Sequence, residues 1–374
     1  VSVRPYYYLT LGNKTLDELG IEYLVKSVTF SEEVGKFDSV DIVIRDGVEL
    51  KEAYDLVRHG NVLQLSMGYY NQIVRPMTIC FLKGLAPNFA TREVTLKFYG
   101  YIKALDVGEK ARILKDRTVR QVVEEIVADY DVLEVGVVEN GDKLLTETTT
   151  QSGTDLSVLE KIAKAYGMFW KVEPTDSKGK WALSLYSINY TEPAPKGGIE
   201  IHAYPEKEYQ IPGDTLWLKA FNPQSNVLMP VTDVTIVSNT PNQPITVTGK
   251  ADAEREETPF NQEGTERRGS EVVFSVFGQV STLHFYENLT DEEVALSIAE
   301  QLAQSEELKF VTAKNSMLSN GDPDVRVGQV RRIVPHGINL FEDIFVGDYV
   351  ITKTTHTVVH GDGYSTSFDC SRSA

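Results

Sequence analysis

The chain has 374 residues, 41% hydrophobic, 10% aromatic and 24% charged, and its 37 Lys and Arg against 54 Asp and Glu give a formal net charge of −17. At roughly 150 residues per domain this length suggests two or three domains with a true core, and the composition is that of globular material rather than collagen, coiled coil or disorder. The acidity argues against a nucleic-acid binder, which carries a basic patch or stripe, and against adhesion to an anionic membrane.

The first hundred residues read as β. Val40–Ile44 ends at the turn dipeptide Asp46-Gly47, Leu63–Met67 alternates and stops at Gly68, and Val94–Tyr99 alternates up to Gly100. Period two with such punctuation means half-buried strands. Several of them within about a hundred residues predict a small barrel or sandwich.

The period then changes. Between Thr118 and Tyr130, apolar residues fall at Val119, Val122, Val123, Ile126, Val127 and Tyr130, one face of a helix. Thr118 with Gln121 makes a capping box. A second helix is expected over 155–166, with Leu156, Leu159, Ile162, Ala163 and Tyr166 inward. Thr154 or Asp155 caps it and Gly167 ends it. A hairpin follows, Met168–Val172 with Trp181–Leu185, so 106–200 reads as a small α/β domain.

Pro193, Pro195, Gly197 and Gly198 then break the chain. Beyond 201 the pattern is β again, through Val231–Val237 and Glu271–Tyr286, with the charged stretch Ala251–Arg268 as a surface loop or inserted edge. A third helix is expected from Thr290 to about Ser305, with Thr290 and Glu293 as capping box. Val294, Ala295, Ile298, Ala299 and Leu302 form its inner face, while Asp291, Glu292, Glu300, Glu306 and Glu307 lie outside. Val325–Val334, Val346–His360 and Tyr364–Asp369 close the chain as strands. The fold class expected is α+β and β-rich. Two β-rich domains, 1–105 and 201–374, flank the α/β domain 106–200, with an insertion at about 240–310.

Signals for chemistry are poor. Cys80 and Cys370 lie far apart and read as inert side chains, one long-range bridge being the alternative. No apolar run long enough to span a bilayer is present, and Val1–Pro5 carries no signal-peptide pattern. Glycosylation-like triplets at Asn13, Asn189 and Asn288 carry little weight without one. Ser177 and Lys180 form a bare Ser-x-x-Lys pair in a hairpin turn, where polar residues are expected anyway. His356 and His360 sit in a β-branched run. On a strand their Cα atoms stand ~13 Å apart, too far to share a metal, so two partly exposed imidazoles are expected. The pairs Glu32-Glu33, Glu124-Glu125, Glu256-Glu257, Glu292-Glu293 and Glu306-Glu307 read mostly as solvated faces rather than a glycosidase pair. No catalytic, cofactor-binding or metal-binding residue is assigned.

Several segments in order resemble a known family. Thr154-Asp155-Leu156-Ser157-Val158-Leu159 through Tyr166-Gly167 resembles the T-D-L-x-F-L-x-x-L-A-x-x-Y-G helix of the phage late-control gene D family, the baseplate hubs of contractile tails, to which VgrG hubs are related. The helix from Thr118 resembles the family's preceding helix, and Gly68-Tyr69 with Phe81 and Gly84 the end of its first barrel. Gly321-Asp322-Pro323 with Gly328 resembles the start of its closing strands. Tyr349 through His356, then Gly363-Tyr364-Ser365-Thr366, resembles the closing motif. Val158 stands where the family carries an aromatic and Thr355 where it carries Val, and 213–285 has no recognised counterpart.

The resemblance implies that 1–105 and 201–374 are small antiparallel β-barrel domains, and that the chain is a non-enzymatic homotrimer, a closed ring in which two barrels per chain make six and adapt a sixfold tail tube to a threefold spike. Such an interface should bury well above ~2,000 Å². Implied partners are a tail spike or tip protein, tail tube or distal tail proteins and the tape-measure protein, with DNA only in transit and no stable membrane binding. The implied location is the virion tail, assembled in the host bacterial cytoplasm. The chain stops soon after the last barrel strands, so the spike is expected to be a separate polypeptide. A trimer carries 3 × (−17) = −51, and some of that charge is expected to line the channel and repel DNA from its wall. The competing reading is a tail-associated cell-envelope-degrading enzyme or carbohydrate-binding module, with Trp170, Trp181 and Trp217 as stacking surfaces. A tail-tip protein of a long non-contractile tail is a close variant of the hub.

Overall fold

A computed structural model of the chain describes residues 4–45, 55, 62–70, 74–143, 150–175, 179–187, 201–203, 216–226, 231–238, 244–250, 269–286, 289, 292–335 and 345–372. The first unit is β1 (Pro5–Leu11), β2 (Lys14–Thr15), β3 (Val25–Glu33), β4 (Ser39–Arg45), β5 (Leu63–Tyr69), β6 (Val74–Asn88) and β7 (Glu93–Gly100). All pair antiparallel, in the order β3-β4-β7-β6-β5-β1-β2. Alternation sets the inward face: Val28 and Phe30 of β3, Val40, Ile42 and Ile44 of β4 and Leu96 and Phe98 of β7 are all buried. Gly68 does not stop β5; it lies within the strand, opposite Tyr6 and Val74.

An α/β unit follows: β8 (Lys110–Ile113), α1 (Val119–Val127), β9 (Leu133–Val138), β10 (Thr150–Gly153), α2 (Asp155–Ala165), β11 (Met168–Pro174) and β12 (Trp181–Ser187). Both expected caps form. The Gln121 N–H donates to Thr118 Oγ1 at 3.3 Å and the Thr118 N–H returns to Gln121 Oε1 at 3.0 Å. Thr154 rather than Asp155 caps α2, accepting from the Ser157 N–H at 3.2 Å. Gly167 ends that turn at φ +61°, a conformation Gly takes without strain. The five aliphatic residues of α1 are all buried, each worth about 2 kcal/mol in area removed from water. In the sheet, β12 pairs antiparallel with β11 and parallel with β9.

The chain continues through β13 (Ile201–Ala203), β14 (Leu216–Ala220) and β15 (Pro223–Ser225), then β16 (Asp233–Ser238), β17 (Ile245–Lys250), α3 (Gly269–Phe277), β18 (Ser281–Tyr286) and α4 (Glu292–Glu307). It ends with β19 (Val311–Leu318), β20 (Val330–Pro335), β21 (Gly347–Val359) and β22 (Gly363–Arg372). The run 271–277, expected to be strand, is helical. Its β-branched residues favour strand only weakly, and Gly278, at φ +75° with its N–H on the Phe274 carbonyl at 2.9 Å, closes it as a helix. The expected cap of α4 at Thr290 lies outside the described residues.

β16, β17 and β18 form a sheet of their own, β16 antiparallel to β17 and parallel to β18. α4 packs on β17 closely enough that a Cβ at Gly249 would stand 2.4 Å from the Ala299 carbonyl carbon. This inserted unit shares one core with the α/β unit: Ile236, Val247 and Ile298 join Val122, Leu159 and Leu183.

The remaining strands form a second β unit whose pairings return on themselves, β19-β22-β21-β20-β13-β14 and back to β19. It departs from the expected antiparallel pattern at β13, which runs parallel to both neighbours. The two β units are also not separate sheets. Lys353–Val359 of β21 pair with Ser27–Glu33 of β3, joining them in one 14-stranded sheet. The register of β21 shifts between Ile351 and Lys353, so its first half serves the second unit and its second half the first. Val358 and Tyr364 accordingly belong to the core of the first unit.

Candidate functional site

A cluster of hydrogen-bonded polar side chains lies buried where the two β units join. Glu32, at the end of β3, follows Val28 and Phe30 on the inward face. It meets Arg326 in a bidentate pair, Nε to Oε1 and Nη2 to Oε2 both at 2.8 Å. The remaining capacity of Glu32 is filled by the Val327 N–H at 2.8 Å and the Thr354 hydroxyl at 2.9 Å. Arg326 also donates to the Met77 carbonyl at 3.0 Å and lies over the Phe30 ring. Glu32 is 3% and Arg326 9% exposed. Burial alone would raise the Glu32 acid, but Arg326, Lys171 and the hydrogen bonds hold it well below the usual carboxylate range. The pair is ionised and fully answered, the condition under which a buried ion pair is tolerated.

Around it stand the residues of the closing motifs. His356 Nδ1 lies 2.9 Å from the Tyr364 hydroxyl and 3.0 Å from Thr366 Oγ1, and Nε2 lies 3.0 Å from the Val325 carbonyl. Burial chiefly, with Arg326 nearby, pushes His356 down to about 4, so it is neutral at pH 7. The Tyr69 hydroxyl donates to the Gly321 carbonyl at 2.8 Å, and the Gly321 N–H donates to the Tyr364 carbonyl at 2.9 Å. A Cβ at Gly321 would fall 2.4 Å from the Tyr364 ring, which is why this position carries Gly. The Asp322 N–H donates to Thr366 Oγ1 at 3.0 Å, and Gly328 turns at φ +84° with its N–H on the Ile351 carbonyl.

Asp38 borders the same junction, in a small cavity that also reaches Glu32, Thr78, Lys171 and Val327. Burial first, then the charge of Glu32, push Asp38 up to about 7, against the pull of Arg326 and Lys171 and a 3.4 Å bond from Thr78. Lys171 is itself committed, donating to the Val327 carbonyl at 2.9 Å and pairing with Glu173 at 3.0 Å.

A second buried carboxylate explains the T-D pair opening α2. Asp155, 1% exposed, accepts from Lys110 at 2.7 Å, Tyr130 at 2.8 Å and Gln151 at 2.9 Å, and from Arg112. Burial opposes the charge, but these donors hold Asp155 down at about 2. With its oxygens occupied it is a tie between α2, α1 and the β8–β10 ribbon, not a proton acceptor.

Several expectations are corrected here. His356 is buried, not partly exposed, because all its polar atoms find partners inside; His360, beyond the end of β21, is exposed. Both nitrogens of His356 are engaged within the protein, leaving none for a metal. Glu32 is not on a solvated face, and Glu307 is buried where α4 leads to β19. Trp170 and Trp181, 6% and 5% exposed, are core residues and offer no face to a sugar; Trp217 is half-buried. Lys180 donates to the Asp131 carbonyl, while Ser177, Asn189, Asn288, Glu256 and Glu257 lie outside the described residues. Cys80 and Cys370 are both free and buried, and burial raises both thiols. The roles of Glu32, Arg326, Lys110 and Arg112 are not apparent from their local sequence. The available signal was a carboxylate in phase with the inward residues of β3.

Among the described residues no helix is long and apolar enough to cross a membrane, and no three His, Cys, Asp or Glu converge on a metal position. No family model matches the sequence, and comparison with curated proteins finds no match. Solved structures do match. A tail protein from Neisseria meningitidis MC58 aligns over 99% of this chain and 97% of its own, with TM-score 0.63 and 11% identity. The 43 kDa tail protein of prophage MuSo2 from Shewanella oneidensis aligns over 98% of both chains, with TM-score 0.59 and 11% identity. A chain of the lidded PdpA–VgrG complex of Francisella aligns over 99% of this chain but 53% of its own, with TM-score 0.54 and 7% identity. The fold is therefore that of phage tail and VgrG-complex proteins, the fold the motif order implied.

Proposed function

We propose that this chain is a structural, non-enzymatic hub of a phage tail tip or baseplate, or of a related contractile injector. It assembles as a trimeric ring and joins a sixfold tail tube to a threefold spike. The observation that carries this reading is the joining of two β units, one from each end of the chain, by the β3–β21 ladder. Three chains then supply six β units around an axis, so a threefold assembly presents a sixfold-like ring. The Glu32–Arg326 lock supports it, because the two units must hold a fixed angle to close such a ring. Tube or distal tail proteins, the tape-measure protein and a spike are its partners, the virion tail its location, and DNA passes through without binding. Part of the charge of −17 lines that path in this reading, and a neutral or basic lumen would contradict it.

The test is the mass of the purified chain alone and with tube and spike proteins from the same tail. A trimer, three times 41.8 kDa or about 125 kDa, is expected. A stable monomer even with those partners present would contradict the proposal. So would cell-wall hydrolysis that disappears when one carboxylate is replaced.

A further inference from the structure

A groove of about 1640 Å³ opens where the start of β1, the end of β5, the 319–324 turn and the tip of the β21–β22 hairpin meet. Its walls are rich in tyrosine: Tyr6, Tyr7, Tyr23, Tyr69, Tyr70 and Tyr364 all line it. Tyr69 and Tyr364 are anchored in the junction described above, whereas Tyr23 and Tyr70 are 67% and 56% exposed. Tyr6 and Tyr70 stand edge to face with centroids 5.9 Å apart, an arrangement that stiffens the wall.

The charge in the groove is one-sided. Asp17, Glu22, Asp322, Asp324 and Asp362 line it, against Arg4 and His360. Arg75 answers Asp324 at 2.7 Å from outside the lining. Burial, with Glu22 close by, raises both Tyr6 and Tyr7.

β1 adds a third feature. One edge pairs with β5 along its whole length, but β2 covers the other only at Thr10 and Leu11. Among the described residues the second edge of Pro5–Leu9 has no strand partner, and Pro5–Tyr7 line the groove. An uncovered edge is a template for strand addition.

We propose that this groove receives an extended, Lys- or Arg-bearing segment of a partner protein. The segment pairs with the second edge of Pro5–Leu9, which no described strand occupies, and lays its cations over the tyrosine rings beside Asp17, Glu22 and Asp362. Aromatic faces and carboxylates together favour a cation, and the edge favours a peptide backbone. A neutral sugar would use the rings but neither the charge nor the edge. The inference is independent of the hub reading.

The test is fluorescence anisotropy with a labelled ten-residue peptide alternating Lys and Val, at about 0.15 M salt, where long-range attraction is screened. The Lys peptide should bind and the same peptide with Glu for Lys should not. Glu22→Lys with Asp362→Lys should weaken binding at least about tenfold. Glu124→Lys with Glu160→Lys, the same charge change on exposed faces of α1 and α2, should leave it within about twofold. Methylating alternate backbone nitrogens of the peptide should also weaken it about tenfold, since those N–H groups make the ladder. Both charge-reversed proteins should keep the parent's urea midpoint. Equal loss in the two reversed proteins would show only attraction to a polyanion. Indifference to N-methylation would exclude strand addition. Binding of a chitin oligosaccharide in place of the Lys peptide would make the groove a sugar site. Each of these outcomes overturns the proposal.

Discussion

Arg326 closes on Glu32 across 294 positions of sequence, two parallel N–H···O bonds of 2.8 Å inside the junction between the β units. Removing one partner leaves a buried charge unanswered. Glu32→Gln or Arg326→Met should each cost about 3–5 kcal/mol. The pair Glu32→Leu with Arg326→Met should cost clearly less than the sum, because neither charge is then stranded. Full recovery is not expected, since the Val327 N–H and the Thr354 hydroxyl also lose their acceptor. A double-mutant cycle in urea measures the coupling, and strict additivity would mean the bond contributes no coupling to stability.

Asp38 should make the fold less stable at higher pH. Its acid is raised to about 7, so the folded state holds the proton more tightly than the unfolded chain does. Its contribution is fully present below the ordinary aspartate pKa near 4 and is lost as pH rises through about 7. Asp38→Asn mimics the protonated form. It should match the parent near pH 4 and exceed it by about 4 kcal/mol at pH 8. Urea midpoints at the two pH values check this, and a constant difference would contradict it.

His356 acts in the opposite direction. Its pKa is lowered to about 4, so the unfolded chain binds the proton first. The stability it confers is present above about 6.5 and is lost as pH falls toward 4, by up to about 3 kcal/mol. Histidine resonances followed by NMR should show one imidazole that stays neutral down to pH 5. Titration of all six imidazoles near 6.5 would contradict the buried network.

Gly321→Ala should destabilise by about 1–3 kcal/mol, because the added methyl would stand 2.4 Å from the Tyr364 ring. In the Tyr364→Ala background the same substitution should cost much less. Thermal melts of the four proteins check it, and an equal cost in both backgrounds would place the strain elsewhere.

Much of the local structure was legible in the sequence. The helix faces of α1 and α2 and the cap at Thr118 follow from spacing, while for α2 the sequence offers Thr154 or Asp155 and the fold uses Thr154. The closing hairpin of β21 and β22 follows from alternation and from the Gly-containing turn at 361–363. What was not legible depends on distant partners. Glu32 looked like one of a solvated pair because Arg326, which makes its burial tolerable, is nowhere near it in sequence. His356 looked half-exposed because Tyr364 and Val325 are visible beside it only once β21 and β22 are paired and the 319–329 turns are in place. The joining of the two β units was hidden for the same reason: β21 looks like one long strand, and only the shift near Thr352 divides it between two neighbours. The motifs quoted for the family carried that information indirectly, since Tyr69, Gly321, His356 and Tyr364 all converge on the junction.

In the proposed ring both β units of each chain take equivalent places. Electron-microscopy class averages of the assembled particle, viewed down its axis, test this most directly. Six β lobes of similar radius around a channel, with three-fold symmetry set by the inserted units, are expected. A particle in which only one β unit of each chain faces the axis, or a monomer that never assembles beside its tail partners, would contradict the account.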